Sequence, residues 1–171
     1  MRIGIIGPES TGKSSLGIAL SRHFDGIYVA EYARTYLSRK VGRYTYEDVV
    51  AITRKMLEDL YGRYDKSIIF FDTELIINKI WFEYVYHRVP DFLTEALSRN
   101  PIDYYLLCAP DIPAVEDSLR ENLDKREYFF DLYREEVLKT DIPYSIITSN
   151  GAERIYKAIK AIDYARNHYQ S

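Results

Sequence analysis

The residues with the clearest chemical meaning lie close to the start of the chain. The short apolar run Arg2–Ile6 is followed at once by Gly7-Pro8-Glu9-Ser10-Thr11-Gly12-Lys13-Ser14, which has the spacing G-x-x-x-x-G-K-[ST]. Between a strand and a helix, this spacing is typical of a loop whose main-chain amides surround phosphate groups. Glycines at its two ends allow backbone angles that bring successive amides inward. The segment therefore predicts a binding site for a nucleoside triphosphate.

Two side chains of this loop are expected to act directly on a bound nucleotide. The ammonium of Lys13 suits a position between the β and γ phosphates, and the hydroxyl of Ser14 suits Mg²⁺, a hard cation that keeps most of its water. The alternative is an ordinary glycine turn, but strand, motif and helical pattern occur in the required order. ATP and Mg²⁺ are the expected cofactors. The remaining phosphate contacts are expected from Gly7, Glu9, Ser10, Thr11, Gly12 and Ser15.

Length and composition favour a single globular domain. The chain has 171 residues, of which 47% are hydrophobic and 29% charged, and its net charge is -3. An acidic balance argues against a broad nucleic-acid surface, which needs clustered basic residues. We find no signal peptide and no apolar run of membrane-spanning length, so we expect a cytoplasmic protein whose residues 1–171 form one catalytic unit. The oligomeric state is left open.

Short β-rich runs alternate with longer helical patterns along the chain. This alternation predicts an α/β fold in which helices cover both faces of a parallel sheet, and ligands then gather where the strands end. The predicted strands lie near residues 2–6, 26–30, 67–71, 103–108 and 142–148. The predicted helices lie near residues 13–23, 31–40, 45–64, 73–88, 91–99, 124–139 and 152–169.

Glu31 and Arg34 follow the second predicted strand, one helical turn apart. Glu31 has the chemistry to accept a proton from a substrate hydroxyl, and Arg34 to hold a substrate oxygen or phosphate. An exposed ion pair at the start of a helix is an equally acceptable interpretation.

Asp72 follows the third predicted strand, Ser67–Phe71. An apolar strand that ends in aspartate is typical of the second magnesium anchor in phosphate-loop enzymes, and we favour this role. Asp72 also has the chemistry to cap the next helix, a role compatible with the first.

Two further segments have open interpretations. Trp81, the only tryptophan, either packs in the core or stacks on a base. The polar segment of residues 111–127 either closes over the site as a lid, with Arg120 and Arg126 neutralising a transferred phosphoryl group, or is a solvated connection.

Taken together, these motifs resemble the ribosylnicotinamide kinase (NadR-type) family of phosphate-loop kinases. The resemblance rests on GPESTGKSSL at 7–16, VAEYARTYL at 29–37, FFDTE at 70–74, DIPAVEDSLR at 111–120 and NGAERIYKAI at 150–159. It implies a doubly wound five-stranded parallel sheet, of the P-loop NTPase and nucleoside-kinase type, in the order 2-3-1-4-5. It also implies ATP-dependent phosphorylation of the 5′-hydroxyl of nicotinamide riboside, a small nucleoside-like substrate, to give the mononucleotide of NAD salvage.

The resemblance also implies roles for individual residues. Lys13 and Ser14 would serve the triphosphate and Mg²⁺, Asp72 the metal side, and Arg120 and Arg126 the lid. The nucleoside side would use Glu31, Tyr32, Arg34, Asp72 and Trp81, and either Glu31 or Asp72 would take the hydroxyl proton. The alternatives are a kinase for another nucleoside or nucleotide and a nucleotide-dependent regulatory ATPase. Ala30 and Ala114 stand where the family pattern has tryptophan, so Trp81 or nearby tyrosines are expected to provide the aromatic surface.

Overall fold

The computed structural model describes residues 1–115 and 122–168, and five parallel strands form its central sheet. The strands lie in the order β2-β3-β1-β4-β5, as the resemblance implied. The central strands are buried almost throughout, because helices cover both faces of the sheet. The strands are β1 (Arg2–Ile6), β2 (Ile27–Val29), β3 (Ile69–Asp72), β4 (Tyr104–Cys108) and β5 (Tyr144–Ile147).

Seven α-helices connect and cover these strands in the described part of the chain. The α-helices are α1 (Lys13–His23), α2 (Tyr32–Leu37), α3 (Tyr46–Leu60), α4 (Leu75–Trp81), α5 (Asp91–Ser98), α6 (Arg126–Leu138) and α7 (Gly151–His168). A 3₁₀ turn, Leu123–Lys125, precedes α6. None of the helices in the two described ranges is long and apolar enough to cross a bilayer.

The two faces of the sheet bury separate apolar clusters. On one face, α1 and α7 pack Leu16, Leu20 and Ile162 against alternate residues of the strands, such as Ile5. On the other face, residues of α4 and α6 pack against the opposite alternate residues, among them Ile6, Phe71 and Leu107. The period-two alternation within each strand therefore determines which helices cover which face.

The helical segment predicted over residues 73–88 is two different structures. The regular helix α4 ends at Trp81, and a π-helical turn continues from Phe82 to Tyr86. His87 then ends the segment in the left-handed conformation, with φ 51°. In a π turn each hydrogen bond spans one residue more than in an α-helix, and such turns often occur at functional sites.

A buried arginine ties together the carboxyl ends of β4 and β5. Arg154 of α7 is 4% exposed, and its Nη2 donates to the carbonyls of Ala109 (2.9 Å) and Ile147 (3.0 Å). Its Nη1 donates to the carbonyl of Ser149 (2.7 Å) and to Asp111 Oδ1 (3.3 Å). Asp111 also accepts from the amide of Ser149 at 2.6 Å. Arg154 thus fixes the two loops that leave this edge of the sheet.

Replacing Arg154 is expected to destabilise the whole protein. Arg154→Ala removes charge-assisted hydrogen bonds to the buried carbonyls of Ala109 and Ile147 and to the half-buried carbonyl of Ser149, so we expect a loss of about 3 kcal/mol in the free energy of unfolding. Lys157→Ala is the control, because Lys157 donates to Thr148 Oγ1 and Ser149 Oγ in the same loop from a side chain that is 40% exposed. Its expected cost is below about 1 kcal/mol. Equal losses of unfolding free energy for the two variants, measured with urea, would contradict this role of Arg154.

Candidate active site

The loop Gly7–Ser14 has the backbone geometry of a phosphate-binding loop. Gly7 has φ 141°, and a Cβ at this position would lie 2.6 Å from the carbonyl oxygen of Cys108. Gly12 precedes α1 in the left-handed conformation, with φ 75°, and no side chain within the described residues caps the helix there. The first amides of α1 therefore keep their hydrogen-bonding capacity, and the positive end of the helix faces the loop.

Lys13 and Thr11 hold the loop in shape. The Lys13 ammonium donates to the carbonyl oxygens of Gly7 (2.9 Å) and Pro8 (2.8 Å), and the buried Thr11 hydroxyl donates to Pro8 at 2.9 Å. The charge of Lys13 thus lies within the loop.

A cavity of about 890 Å³ extends from the phosphate loop. The phosphate loop and the start of α1 form one end, with Gly7, Glu9, Ser10, Thr11, Gly12, Lys13, Ser14 and Ser15. The rest of the wall comes from α2, the segment that follows it, α4 with its π turn, and α6. The cavity has room for a nucleotide together with a second small molecule, since ligand sites in proteins commonly span about 300–1,000 Å³.

Glu31 and Arg34 both line this cavity, so the cleft position predicted for them is correct. Burial raises the pKa of the Glu31 carboxyl, and the nearby Asp72 raises it further, while Lys13 and Arg34 lower it. A carboxylate with a raised pKa beside a cavity has the properties of a general base.

Asp72 lies at the end of β3 and is 2% exposed. Its Oδ2 accepts a 2.6 Å hydrogen bond from the Tyr28 hydroxyl. The idea that Asp72 caps the following helix is wrong, because Glu74 is the N-cap of α4 and accepts from the amide of Ile76 at 3.0 Å. Asp72 is therefore available for another role.

The surroundings of Asp72 fit a hydrated magnesium ion. Asp72 Oδ1 is buried and has no hydrogen-bond partner within the described residues. Burial and Asp72 raise the pKa of the Tyr28 phenol and Ser14 lowers it, so both side chains lie close to this hydroxyl group. One carboxylate and one hydroxyl match the small protein contribution that Mg²⁺ takes beside phosphates and water.

Trp81 packs against the apolar clusters beside α3 and also forms part of the cavity wall, while its stacking on a base stays a prediction. The indole Nε1 donates to the Tyr44 hydroxyl at 3.1 Å, and the two rings meet edge to face at 5.0 Å. The aromatic residues on the wall are Tyr44, Trp81, Tyr84, Tyr86, Phe129 and Tyr133.

Both described flanks of the predicted lid contact the phosphate loop. The Val115 amide donates to Ser10 Oγ at 2.8 Å, and the Asn122 amide donates to Glu9 Oε2 at 3.2 Å. Arg126 is 9% exposed and donates to the carbonyls of Ser10 (3.3 Å) and Ile112 (2.9 Å). The segment that connects these flanks, with Arg120, lies outside the described residues.

Some predicted site residues do not reach the cavity wall. Tyr32 packs beside Tyr36 in the small cluster of Ala33, Ile52 and Met56, with ring centroids 6.1 Å apart. Of the predicted site residues that the structure describes, Tyr32, Asp72 and Arg126 are not part of the cavity wall. Asp72 is buried beside the wall residue Thr73, and Arg126 donates to the carbonyl of Ser10 in the phosphate loop. The action of Arg126 on a phosphoryl group stays a prediction.

Sequence reasoning missed several residues at the site, among them Tyr28, Tyr133 and Thr73. Tyr28 contacts Asp72, and Tyr133 lines the cavity, where burial and the carboxylates of Glu9 and Glu31 raise its pKa. Thr73 also lines the cavity, with φ 75° and a buried hydroxyl that has no partner in the described ranges. The one sequence signal for Thr73 was its position directly after the aspartate that ends β3. Its left-handed backbone is a structural signal, because strained β-branched residues cluster at functional sites.

Comparison with known proteins places this geometry among nucleotide-binding proteins. A family model described as an AAA domain matches residues 2–154. The chain is 25% identical over 135 residues to the trifunctional NAD biosynthesis/regulator protein NadR of Escherichia coli, covering 74% of this chain and 33% of that protein. The Salmonella typhimurium NadR protein is 26% identical over 124 residues, covering 69% and 30%. The chain thus spans about a third of these relatives, and the resemblance found in its motifs is confirmed.

Solved structures give the same fold. A NadR crystal structure in complex with NR superposes with a TM-score of 0.77 at 17% identity, covering 98% of this chain and 50% of that one. The deoxyadenosine kinase of M. mycoides, with products bound, superposes at 0.67 and 14% identity, covering 96% and 100%. The α/β architecture with a five-stranded parallel sheet is thereby confirmed.

A methyl group at Gly7 is expected to distort the phosphate loop. Gly7→Ala would place a Cβ against the backbone of β4, so we expect a destabilisation of about 2–3 kcal/mol and a loss of ATP affinity. Gly151→Ala is the matched control, since Gly151 also has a positive φ of 52° but its Cβ would meet nothing within 4 Å. Thermal unfolding and calorimetric titration with ATP test both variants. Unchanged ATP affinity in Gly7→Ala would refute the close-approach argument.

Proposed function

We propose, because the chain belongs to the AAA-domain family, that its nucleotide site serves an ATP-dependent small-molecule kinase. The proposed reaction is transfer of the γ-phosphoryl group of ATP to the 5′-hydroxyl of nicotinamide riboside, which gives nicotinamide mononucleotide for NAD salvage. The NadR proteins that match the chain support this choice. We place the reaction in the cytoplasm and propose that residues 1–171 act as one kinase domain, with the lid predicted at about residues 111–127.

The continuity of the cavity carries the proposal. The same cavity joins the phosphate loop to an aromatic pocket, and Glu31 lies on its wall. A purely regulatory ATPase needs a site for the nucleotide alone, whereas this wall continues past Lys13 to Trp81 and Tyr84. A nucleoside in that part would present a hydroxyl group to the end of a triphosphate held by the loop.

In the proposed step the acceptor oxygen attacks the γ-phosphorus in line, and the bond to the ADP oxygen breaks. Such transfers depend mostly on positioning and on stabilisation of charge. Loop amides and Lys13 hold the phosphates. Glu31 receives the hydroxyl proton, because it lines the cavity and its pKa is raised. Asp72 is the weaker candidate for the base, since it is absent from the described wall and its Oδ2 already accepts from Tyr28.

Ser14 and Asp72 would hold the proposed magnesium ion. Bound there, Mg²⁺ would neutralise charge on the β and γ phosphates. The buried, unpartnered Oδ1 of Asp72 supports this assignment.

Aromatic residues on the cavity wall would recognise the acceptor. Ala30 and Ala114 lack the rings that the family pattern has at these positions, and Trp81, Tyr44 and Tyr84 offer aromatic surface instead. Stacking on aromatic rings tolerates different heterocycles. The second candidate function, phosphorylation of another nucleoside, is favoured by this substitution and by the likeness to deoxyadenosine kinase over the whole of that chain.

A panel of acceptors separates these candidates. We expect the purified protein, given Mg²⁺ and ATP, to phosphorylate nicotinamide riboside, while Lys13→Ala, which removes the phosphate-binding ammonium, has no measurable turnover. Chromatographic detection of the mononucleotide is the measurement, and adenosine, deoxyadenosine and cytidine are the comparison acceptors. Product from these alone would support the second candidate. ATP hydrolysis at the same rate with every acceptor would support a regulatory ATPase and exclude both kinases.

The pH dependence of turnover tests the proposed base. Glu31 must be ionised to accept the proton, so kcat/KM should fall as the pH decreases through its pKa, which lies above the ordinary value of 4.5. We expect Glu31→Gln to lose roughly a hundredfold or more in kcat and to lack this acid limb. Arg34→Ala should move the limb to higher pH, because Arg34 lowers the Glu31 pKa. Arg39→Ala, an exposed change just after the same helix, is the control, and an unmoved limb in Arg34→Ala would count against Glu31.

A further inference from the structure

Tyr28 occupies a position that the proposed chemistry has not yet used. It lies in the middle of β2 and pairs in register with Phe70 of β3. Asp72 is two residues beyond Phe70, so Tyr28 and Asp72 project from the same face of the sheet. The Tyr28 hydroxyl crosses to Asp72 and donates to its Oδ2 at 2.6 Å.

The helix that follows the phosphate loop is shaped around the Tyr28 ring. A Cβ on Gly17 would lie 2.7 Å from Cε2 and 2.9 Å from Cδ2 of this ring. Only a residue without a side chain therefore fits against Tyr28 at this point of α1. Ser14 precedes Gly17 by three residues, on the same side of the helix, and it lies close enough to the Tyr28 phenol to lower the pKa of that group.

The resulting arrangement leaves one oxygen atom of Asp72 for a ligand. Oδ2 is occupied by Tyr28, whereas the buried Oδ1 has no partner in residues 1–115 and 122–168. Groups that hydrogen-bond to a metal ligand orient it and are often as necessary as the ligand itself.

We propose that Tyr28 is a positioning residue for the magnesium side of the site. Its hydroxyl holds Oδ2 of Asp72 beside Ser14 and fixes the carboxylate so that Oδ1 stays available to the hydrated ion, and Gly17 provides the space that the ring needs. The inference rests on the proposed use of Mg²⁺ but not on the identity of the phosphate acceptor.

The coupling between metal and nucleotide measures this role without turnover. The affinity for AMP-PNP is determined by calorimetry in EDTA and again in saturating Mn²⁺, and the ratio of the two affinities gives the contribution of the metal. We expect Tyr28→Phe to lower this ratio about tenfold, as changes beside metal ligands do, and to leave the affinity in EDTA unchanged. An unchanged ratio would overturn the proposal.

Tyr64→Phe is the matched control for lost stability. Tyr64 also donates a 2.6 Å hydrogen bond from its phenol, to the carbonyl of Asp59, and it lies away from the cavity wall. Both variants should lower the thermal midpoint of the unliganded protein to a similar extent, while the coupling ratio falls in Tyr28→Phe alone. A similar fall in both would mean that general loosening is the cause, and the proposal would be rejected.

Gly17→Ala provides an independent approach to the same contact. The added methyl group should displace the Tyr28 ring and lower the coupling ratio with the hydroxyl still present. Combined with Tyr28→Phe, it should cause little further loss, because both changes break one arrangement. Fully additive losses would show that Gly17 acts separately from Tyr28, and would overturn the role given to Gly17.

The outcomes for Tyr28 and for the proposed function are distinct. Wild-type turnover of nicotinamide riboside with an unchanged coupling ratio in Tyr28→Phe would reject the inference and leave the function intact. A lowered ratio in a protein that phosphorylates none of the acceptors would support the inference and reject the function.

Discussion

Charged side chains that are withdrawn from water at the carboxyl edge of the sheet determine the shape of the site. Asp72, Arg126 and Arg154 are 2%, 9% and 4% exposed. A buried charge without hydrogen-bond partners costs several kcal/mol, so each of these groups restricts the position of whatever it contacts. The two arginines contact main-chain carbonyls in the loops, and Asp72 contacts a phenol. The loops around the cavity are thereby fixed by the hydrogen bonds that these buried charged groups require, as well as by apolar packing.

The same contacts connect the parts of the site that must act together. Arg126 joins the phosphate loop to one flank of the predicted lid, and the adjoining residue Lys125 donates to the Tyr84 hydroxyl at 2.7 Å. Tyr84 lies on the cavity wall and also meets Phe129 edge to face at 4.9 Å. Movement of the lid flank would therefore alter both the phosphate end and the aromatic end of the cavity. Such coupling suits a transfer between two bound molecules, since water must be excluded from both at once.

The parts of this structure that could be predicted from the sequence depend on local rules. The phosphate loop has a fixed spacing, and the period-two strands and longer helical patterns gave the elements and their approximate ends. The position of Glu31 on the cavity wall followed from its place after a strand. The strand order came from the resemblance to a known family, because hydrophobic periodicity carries no information about which strands are neighbours.

The remaining features depend on contacts between residues that are distant in the sequence. Tyr28 and Asp72 are 44 positions apart, and their hydrogen bond follows from β2 lying beside β3. Gly17 has no distinctive signal in the sequence, and the need for a glycine at this position comes from the Tyr28 ring that lies against it. The π turn after Trp81 has no simple sequence pattern, and it changes which of the following side chains reach the cavity. Side-chain identity is local information, but the role of a side chain is a property of the fold.

Glu31 and Asp72 illustrate how the fold can give two similar carboxylates different roles. Both follow or end a strand at the same edge, and the sequence left open which of them accepts a proton. Asp72 is buried and has the Tyr28 phenol on one oxygen, which suits a ligand held in a fixed position. Glu31 lines the cavity, and its pKa is raised by burial, so the cost of holding its charge falls when it takes a proton. In the proposed reaction, this difference in environment would give the metal side to Asp72 and proton transfer to Glu31.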